Sequence, residues 1–202
     1  MEWLGCLAVI ILLFPVGLLL WLLRLQTRLR EQGNAITDLT LTSDDIGPLD
    51  FGDEGSAVLG QLVATFGAPD ADTGFIQGSG AFGECPGDTI RVVNWGPLAI
   101  VTQGSPEDYQ FVSYRMDLRF GGVNSTTTDI ATLSGLRVGD TVAQLQSTYA
   151  QFLVEFIVDA QAGLVFELRS ERSGPLLLWG PVQSQSDDGV VTGIYSPDSC
   201  QL

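Results

Sequence analysis

The spacing of apolar and polar positions changes character along the chain. No charged residue occurs from Trp3 to Leu23. A helix over that run, at about 1.5 Å per residue, is about 30 Å long, the thickness of bilayer hydrocarbon. Trp3 and Trp21 stand near its ends, where amphipathic rings prefer the headgroup layer, and Arg24, Arg28 and Arg30 follow closely. Residues 1–30 are therefore predicted to form a transmembrane anchor with a basic juxtamembrane segment, in contact with the lipid bilayer through residues 3–23. Glu2 in place of a basic n-region, and the lack of a small-residue cleavage site, predict a retained signal-anchor rather than a removed leader. Residues 31–45 are polar and aperiodic and read as a tether.

From residue 46 the pattern is that of a folded body. Val58, Leu62 and Phe66, and again Val142, Leu145 and Tyr149, lie three or four apart, which puts each set on one helical face. Both helices follow a glycine turn, Phe51-Gly52-Asp53-Glu54 and Val138-Gly139-Asp140-Thr141, with Asp53 and Asp140 placed as N-caps. A second landmark, Trp95-Gly96-Pro97-Leu98, is echoed by Trp179-Gly180-Pro181-Val182. Two landmarks in the same order predict an internal repeat. Short β-type runs fill the remainder: 90–95, 98–102, 110–120, 152–158, 164–168, 176–179 and 190–195. Few helices among many strands predict an α+β fold. After the N-terminal transmembrane helix it would hold two tandem repeats, residues 46–120 and 133–202, joined by a connector at 121–132. Each would pack a short helix on an antiparallel sheet.

The turn around Gly47-Pro48 and Phe51-Gly52, the helix ending Phe66-Gly67-Ala68-Pro69-Asp70, and the strands after it resemble the tandem small α+β repeats of the β-lactamase inhibitory protein type. The outer-membrane assembly lipoprotein family uses a similar unit. The resemblance rests on residues 47–70 and more faintly on 136–149. It implies binding without catalysis. The inhibitor family carries disulfides within its repeats, which Cys85 and Cys200 cannot reproduce, and none of its inhibitory residues carries over.

Composition narrows the chemistry. The chain has no histidine, and all nine of its basic residues are arginine. Ser-His-Asp and Cys-His triads, histidine metal sites, Schiff-base lysines and P-loops are thereby excluded. A net charge of −15 repels nucleic acid and suits a cationic partner, a divalent ion or plain solubility. Cys6 lies in the apolar run, which leaves Cys85 and Cys200 as the disulfide candidates, with two free thiols as the alternative. Orientation reads both ways. Three arginines after the span argue for a cytoplasmic body, whereas a disulfide, the absence of lysine and a Gly/Ser/Thr-rich body favour an extracytoplasmic one.

Three motifs point to chemistry. Gly78-Ser79-Gly80-Ala81-Phe82-Gly83 matches the phosphate-binding G-x-G-x-x-G, but Cys85-Pro86-Gly87 follows where a helix should begin. Asp72-Thr73-Gly74 matches one aspartic-protease loop with no second copy, and reads as a turn after the first helix. Asp70 and Asp72, near the acids Asp44, Asp45, Asp50, Asp53 and Glu54, are weak calcium candidates. Trp95, Trp179, Tyr109, Phe111 and Tyr114 read as core or sheet residues, with an aromatic recognition surface as the alternative. Arg91, Arg115 and Arg119 read as a solvated sheet face. No cofactor is expected. The chain is read as a membrane-anchored, single-pass, extracytoplasmic protein that binds a protein or envelope partner without catalysis. The alternative is a carboxylate-dependent hydrolase of the cell envelope.

Overall fold

The computed structural model describes residues 35–121 and 126–198. The expected membrane segment, with Trp3, Trp21, Arg24, Arg28 and Arg30, lies outside these residues, as does Cys200. Twelve strands are seen: β1 (Thr40–Leu41), β2 (Asp45–Ile46), β3 (Leu49–Asp50), β4 (Ala71–Gln77), β5 (Thr89–Trp95), β6 (Leu98–Ser105), β7 (Asp108–Asp117), β8 (Ala131–Thr132), β9 (Leu153–Asp159), β10 (Gly163–Arg169), β11 (Leu176–Pro181) and β12 (Gly193–Tyr195). Among the described residues two α-helices accompany them, α1 (Gly55–Phe66) and α2 (Val142–Thr148).

This arrangement corrects the predicted fold class. The described residues are mostly β, with 43% of them in strands and 14% helical. The eight strands from the two expected repeats' sheets form one antiparallel sheet in the order β4-β5-β6-β7-β12-β11-β10-β9 rather than two separately packed ones, and β3-β2-β1-β8 form a second, small sheet. The halves join where β12 pairs with β7 through Gly193–Asp117, Ile194–Met116 and Tyr195–Arg115. The physical reason is coverage. A helix as short as α2 cannot hide a four-stranded sheet. Val58, Leu62, Val142 and Leu145 therefore share one core with Trp95, Phe111, Tyr114, Met116, Phe166, Leu168 and Ile194 from both halves.

The single-pass membrane placement is corrected as well. Among the described residues no helix is long and apolar enough to cross a membrane. The longest, α1, has 12 residues and spans about 18 Å, short of the roughly 30 Å required. The expected tether also departs from its reading: Thr40–Leu41 pair in parallel with Ala131–Thr132 in a small four-stranded sheet, and Leu41 is buried.

The two glycine turns adopt the same geometry. Gly52 and Gly139 sit at φ 96° and 95°, a left-handed conformation that favours glycine. In each turn the aspartate accepts a hydrogen bond from the backbone N–H three residues earlier, Asp53 from Asp50 at 3.0 Å and Asp140 from Arg137 at 2.8 Å. In each, the glycine N–H donates to the sheet side, Gly52 to Phe111 O and Gly139 to Val191 O, both at 2.8 Å. Asp53 and Asp140 thus close the turns, and the N-caps fall one residue later, at Glu54 and Thr141. Thr141 forms a capping box with Gln144, whereas Glu54 makes no side-chain cap bond. The second landmark splits: Gly96-Pro97 turns between β5 and β6, whereas Gly180-Pro181 lies within β11. It does not mark equivalent positions.

Thr141→Ala is expected to cost about 1 kcal/mol. Phe111→Ala, at a fully buried position packed edge-on against Phe51, is expected to cost about 3–5 kcal/mol. Both are read from urea midpoints at an unchanged denaturant slope.

Candidate functional site

The two faces of the large sheet have different fates. One carries the helices and the main core. On the other, Ile90, Val92, Ala99 and Val101 are covered by Phe82, which belongs to the loop between β4 and β5. That loop is built around Glu84, a buried carboxylate. Its Oε1 accepts from the N–H groups of Ser79 (2.9 Å) and Gly80 (2.7 Å), and its Oε2 from that of Phe82 (2.7 Å). The amides of the G-x-G-x-x-G segment therefore hold the protein's own carboxylate, which is incompatible with a phosphate cradle. Ser113 Oγ fixes the loop to β7 by donating to Phe82 O at 2.7 Å. Cys85, further along the loop, is disulfide-bonded.

Arg115 emerges beneath this loop, at the seam where β7 meets β12. Its residue is 2% exposed. The guanidinium lies over the rings of Trp179 (5.0 Å) and Tyr195 (4.7 Å), which stack edge-to-face on each other. Nη2 pairs with Asp198 at 2.5 Å and Nη1 donates to Ser196 O at 2.8 Å. Nε is buried without a hydrogen-bond partner. Burial pulls the Arg115 pKa down and Asp198 opposes that; an arginine so paired remains charged. Gly83 makes the contact passable, since a Cβ there would lie 2.5 Å from Arg115 Nη2.

Beside it, the fully buried Asp117 is gripped by Arg119 through Nε (2.9 Å) and Nη2 (2.6 Å), and it accepts a hydrogen bond from the Tyr195 hydroxyl. Burial first, and the hydrogen bond to Asp117 second, push the Tyr195 phenol well above its ordinary value, so it stays protonated. The Arg119 side chain is 57% exposed and turns its outer edge to solvent.

Between the loop, this seam and the β9–β10 turn lies a cavity of about 530 Å³, walled by Phe82, Phe120, Trp179, Tyr195, Arg119 and Asp159 among others. Its size falls within the range of small-ligand sites. Asp159 accepts from the N–H groups of Gln161 (2.8 Å) and Ala162 (2.6 Å) in the turn. Those bonds, led by that from Ala162, hold its carboxyl below its ordinary value of 3.8.

The weak calcium candidates stand elsewhere and do different work. Asp72 pairs with Arg91 at 2.6 Å, and Asp70 accepts from Gly96 N at 2.6 Å. Among the described residues no group of three or more Cys, Asp or Glu side chains could hold a metal ion. Asp72-Thr73-Gly74 is not a turn after the first helix but part of β4, the edge strand that periodicity missed. Arg115, expected on a solvated face, is buried, whereas Trp95, Phe111 and Tyr114 are core residues. Sequence reasoning overlooked Asp117, Asp159, Tyr195 and Asp198. Their one visible signal was the spacing Arg115-x-Asp117-x-Arg119, which puts all three on one face of a strand or its continuation. No protein-family model, curated protein or solved structure matches the chain.

Asp198→Ala leaves a buried guanidinium unpaired and is expected to cost about 3 kcal/mol; Arg115→Met added to it should recover part of that loss. Asp159 has a lowered folded pKa. Its contribution is present above the unfolded value of 3.8 and disappears as pH falls through the folded one. Unfolding free energy should therefore drop below about pH 4, less steeply in Asp159→Asn, as followed by urea titrations across that window.

Proposed function

We propose that this is a non-catalytic binding protein, and that the cavity over the β7–β12 seam receives a basic side chain of a protein partner. The observation that carries the reading is the charge balance of the wall. Arg115 is neutralised by Asp198 and Arg119 by Asp117, which leaves Asp159, held only by backbone amides, as a residual negative charge beside exposed aromatic surface. A cation among ring faces and a carboxylate gains from both. The net charge of −15 adds long-range attraction for a basic partner. A carboxylate-dependent hydrolase would need a carboxyl held protonated at neutral pH. Asp159 is shifted the other way, which favours binding over hydrolysis.

The test is a titration with N-acetyl-arginine methylamide, followed by tryptophan emission. Saturable quenching is expected that is absent in Trp179→Phe, at least tenfold weaker in Asp159→Asn, and reduced by added salt. An equal response to N-acetyl-glutamate, or indifference to Asp159→Asn, would contradict the reading.

A further inference from the structure

The two edges of the eight-stranded sheet are unlike. β4 is guarded: its pairing with β5 is interrupted between Asp72 and Phe75, Gly74 sits in the left-handed region, and Asp72 is tied to Arg91. Bulges and charges of this kind keep other strands from adding to an edge. β9 has neither bulge nor left-handed glycine, and its charges are confined to Glu155 and Asp159 on one face. All seven of its residues pair with β10 in unbroken register, from Asp159–Gly163 to Leu153–Arg169. Among the described residues its other side pairs with nothing. It contains no proline, glycine or basic residue, and Val158 is 82% exposed, Ile157 42% and the adjoining Phe152 43%.

We propose that β9 pairs antiparallel with the β9 of a second copy of this chain, joining two sheets into one across a twofold axis. The strand is complementary to itself about its middle residue, Phe156. In that register Val154 faces Val158 and Phe156 faces its own counterpart. Val154 and Phe156 are half-buried and already pack against the main core, so the second copy extends that core. On the opposite face Glu155 falls opposite Ile157 and Asp159 opposite Leu153, so no carboxylate meets a carboxylate directly, an arrangement that cross-strand pairing favours. Each Glu155 also keeps its own Arg172 at 3.9 Å. A shift by one residue would set the core-facing side chains against the solvent-facing ones, which disfavours other registers. A basic peptide fits this edge poorly, because its most exposed position, Val158, and the flanking Ile157 and Phe152 are apolar. An identical strand matches residue for residue, as an isologous interface requires.

The experiment uses two differently tagged full-length chains, one Glu155→Cys and one Ile157→Cys, mixed, treated with a short thiol cross-linker and mapped by mass spectrometry of the linked peptides. A link between residues 155 and 157 of different chains is expected, at least tenfold more abundant than any link from Asp72→Cys on the other edge. Ile157→Lys or Val158→Lys in both chains should reduce it at least tenfold while circular dichroism shows the fold retained. A map that links residue 155 to residues 1–34 of its own chain, to a shifted register, or to nothing would overturn the proposal.

Discussion

One buried positive charge organises this protein. The Arg115 guanidinium sits where the two halves of the large sheet pair, and desolvating it requires partners from several segments at once. Trp179 comes from β11, Tyr195 and Ser196 from the end of β12, and Asp198 from the segment beyond it. The loop above must present a glycine, Gly83, for the pair to pass. The same charge therefore fixes strand order at the seam, the course of the chain after β12, and the height of the loop that roofs the cavity. Asp117, Arg119 and the Tyr195 hydroxyl form a second bonded set on the same surface. Much of the cavity's polar lining is engaged in these bonds, with Arg115 Nε left without a partner.

Local physics was readable where a single segment decides the outcome. The glycine turns and the apolar faces of both helices appear in the sequence because each depends on neighbours three or four residues away. Asp53 and Asp140, expected as N-caps, instead close the turns one residue before the caps. Most strands of the large sheet announce themselves through β-branched or apolar runs such as Val92-Val93 and Leu176-Leu177-Leu178. The edge strand β4 did not, since Ala71-Asp72-Thr73-Gly74 has the composition of a turn and becomes a strand only by pairing with β5. Thr40-Leu41 resembled a tether for the same reason: its partner, Ala131-Thr132, is some ninety positions away.

The larger error concerned assembly. Two helix-and-strand units suggest two small α+β bodies, yet neither short helix covers enough apolar surface to stand alone, and fusing the sheets buries β7 and β12 against each other. The candidate site was hidden by the same fact. Arginine on a strand reads as a solvated residue, and only the fused sheet encloses Arg115. Likewise the G-x-G-x-x-G segment reads as an anion cradle until Glu84 is seen to occupy it from two to five residues along the chain.

The enclosed guanidinium is most directly tested by nuclear magnetic resonance of the arginine side chains. A stacked, buried Arg115 should give a sharp Nε–H signal in slow exchange with water, and N-acetyl-arginine methylamide bound in the cavity should shift it. An Arg115 signal that exchanges as fast as that of a free arginine, or that ignores the added compound, would contradict both the enclosed seam and its use as a binding site.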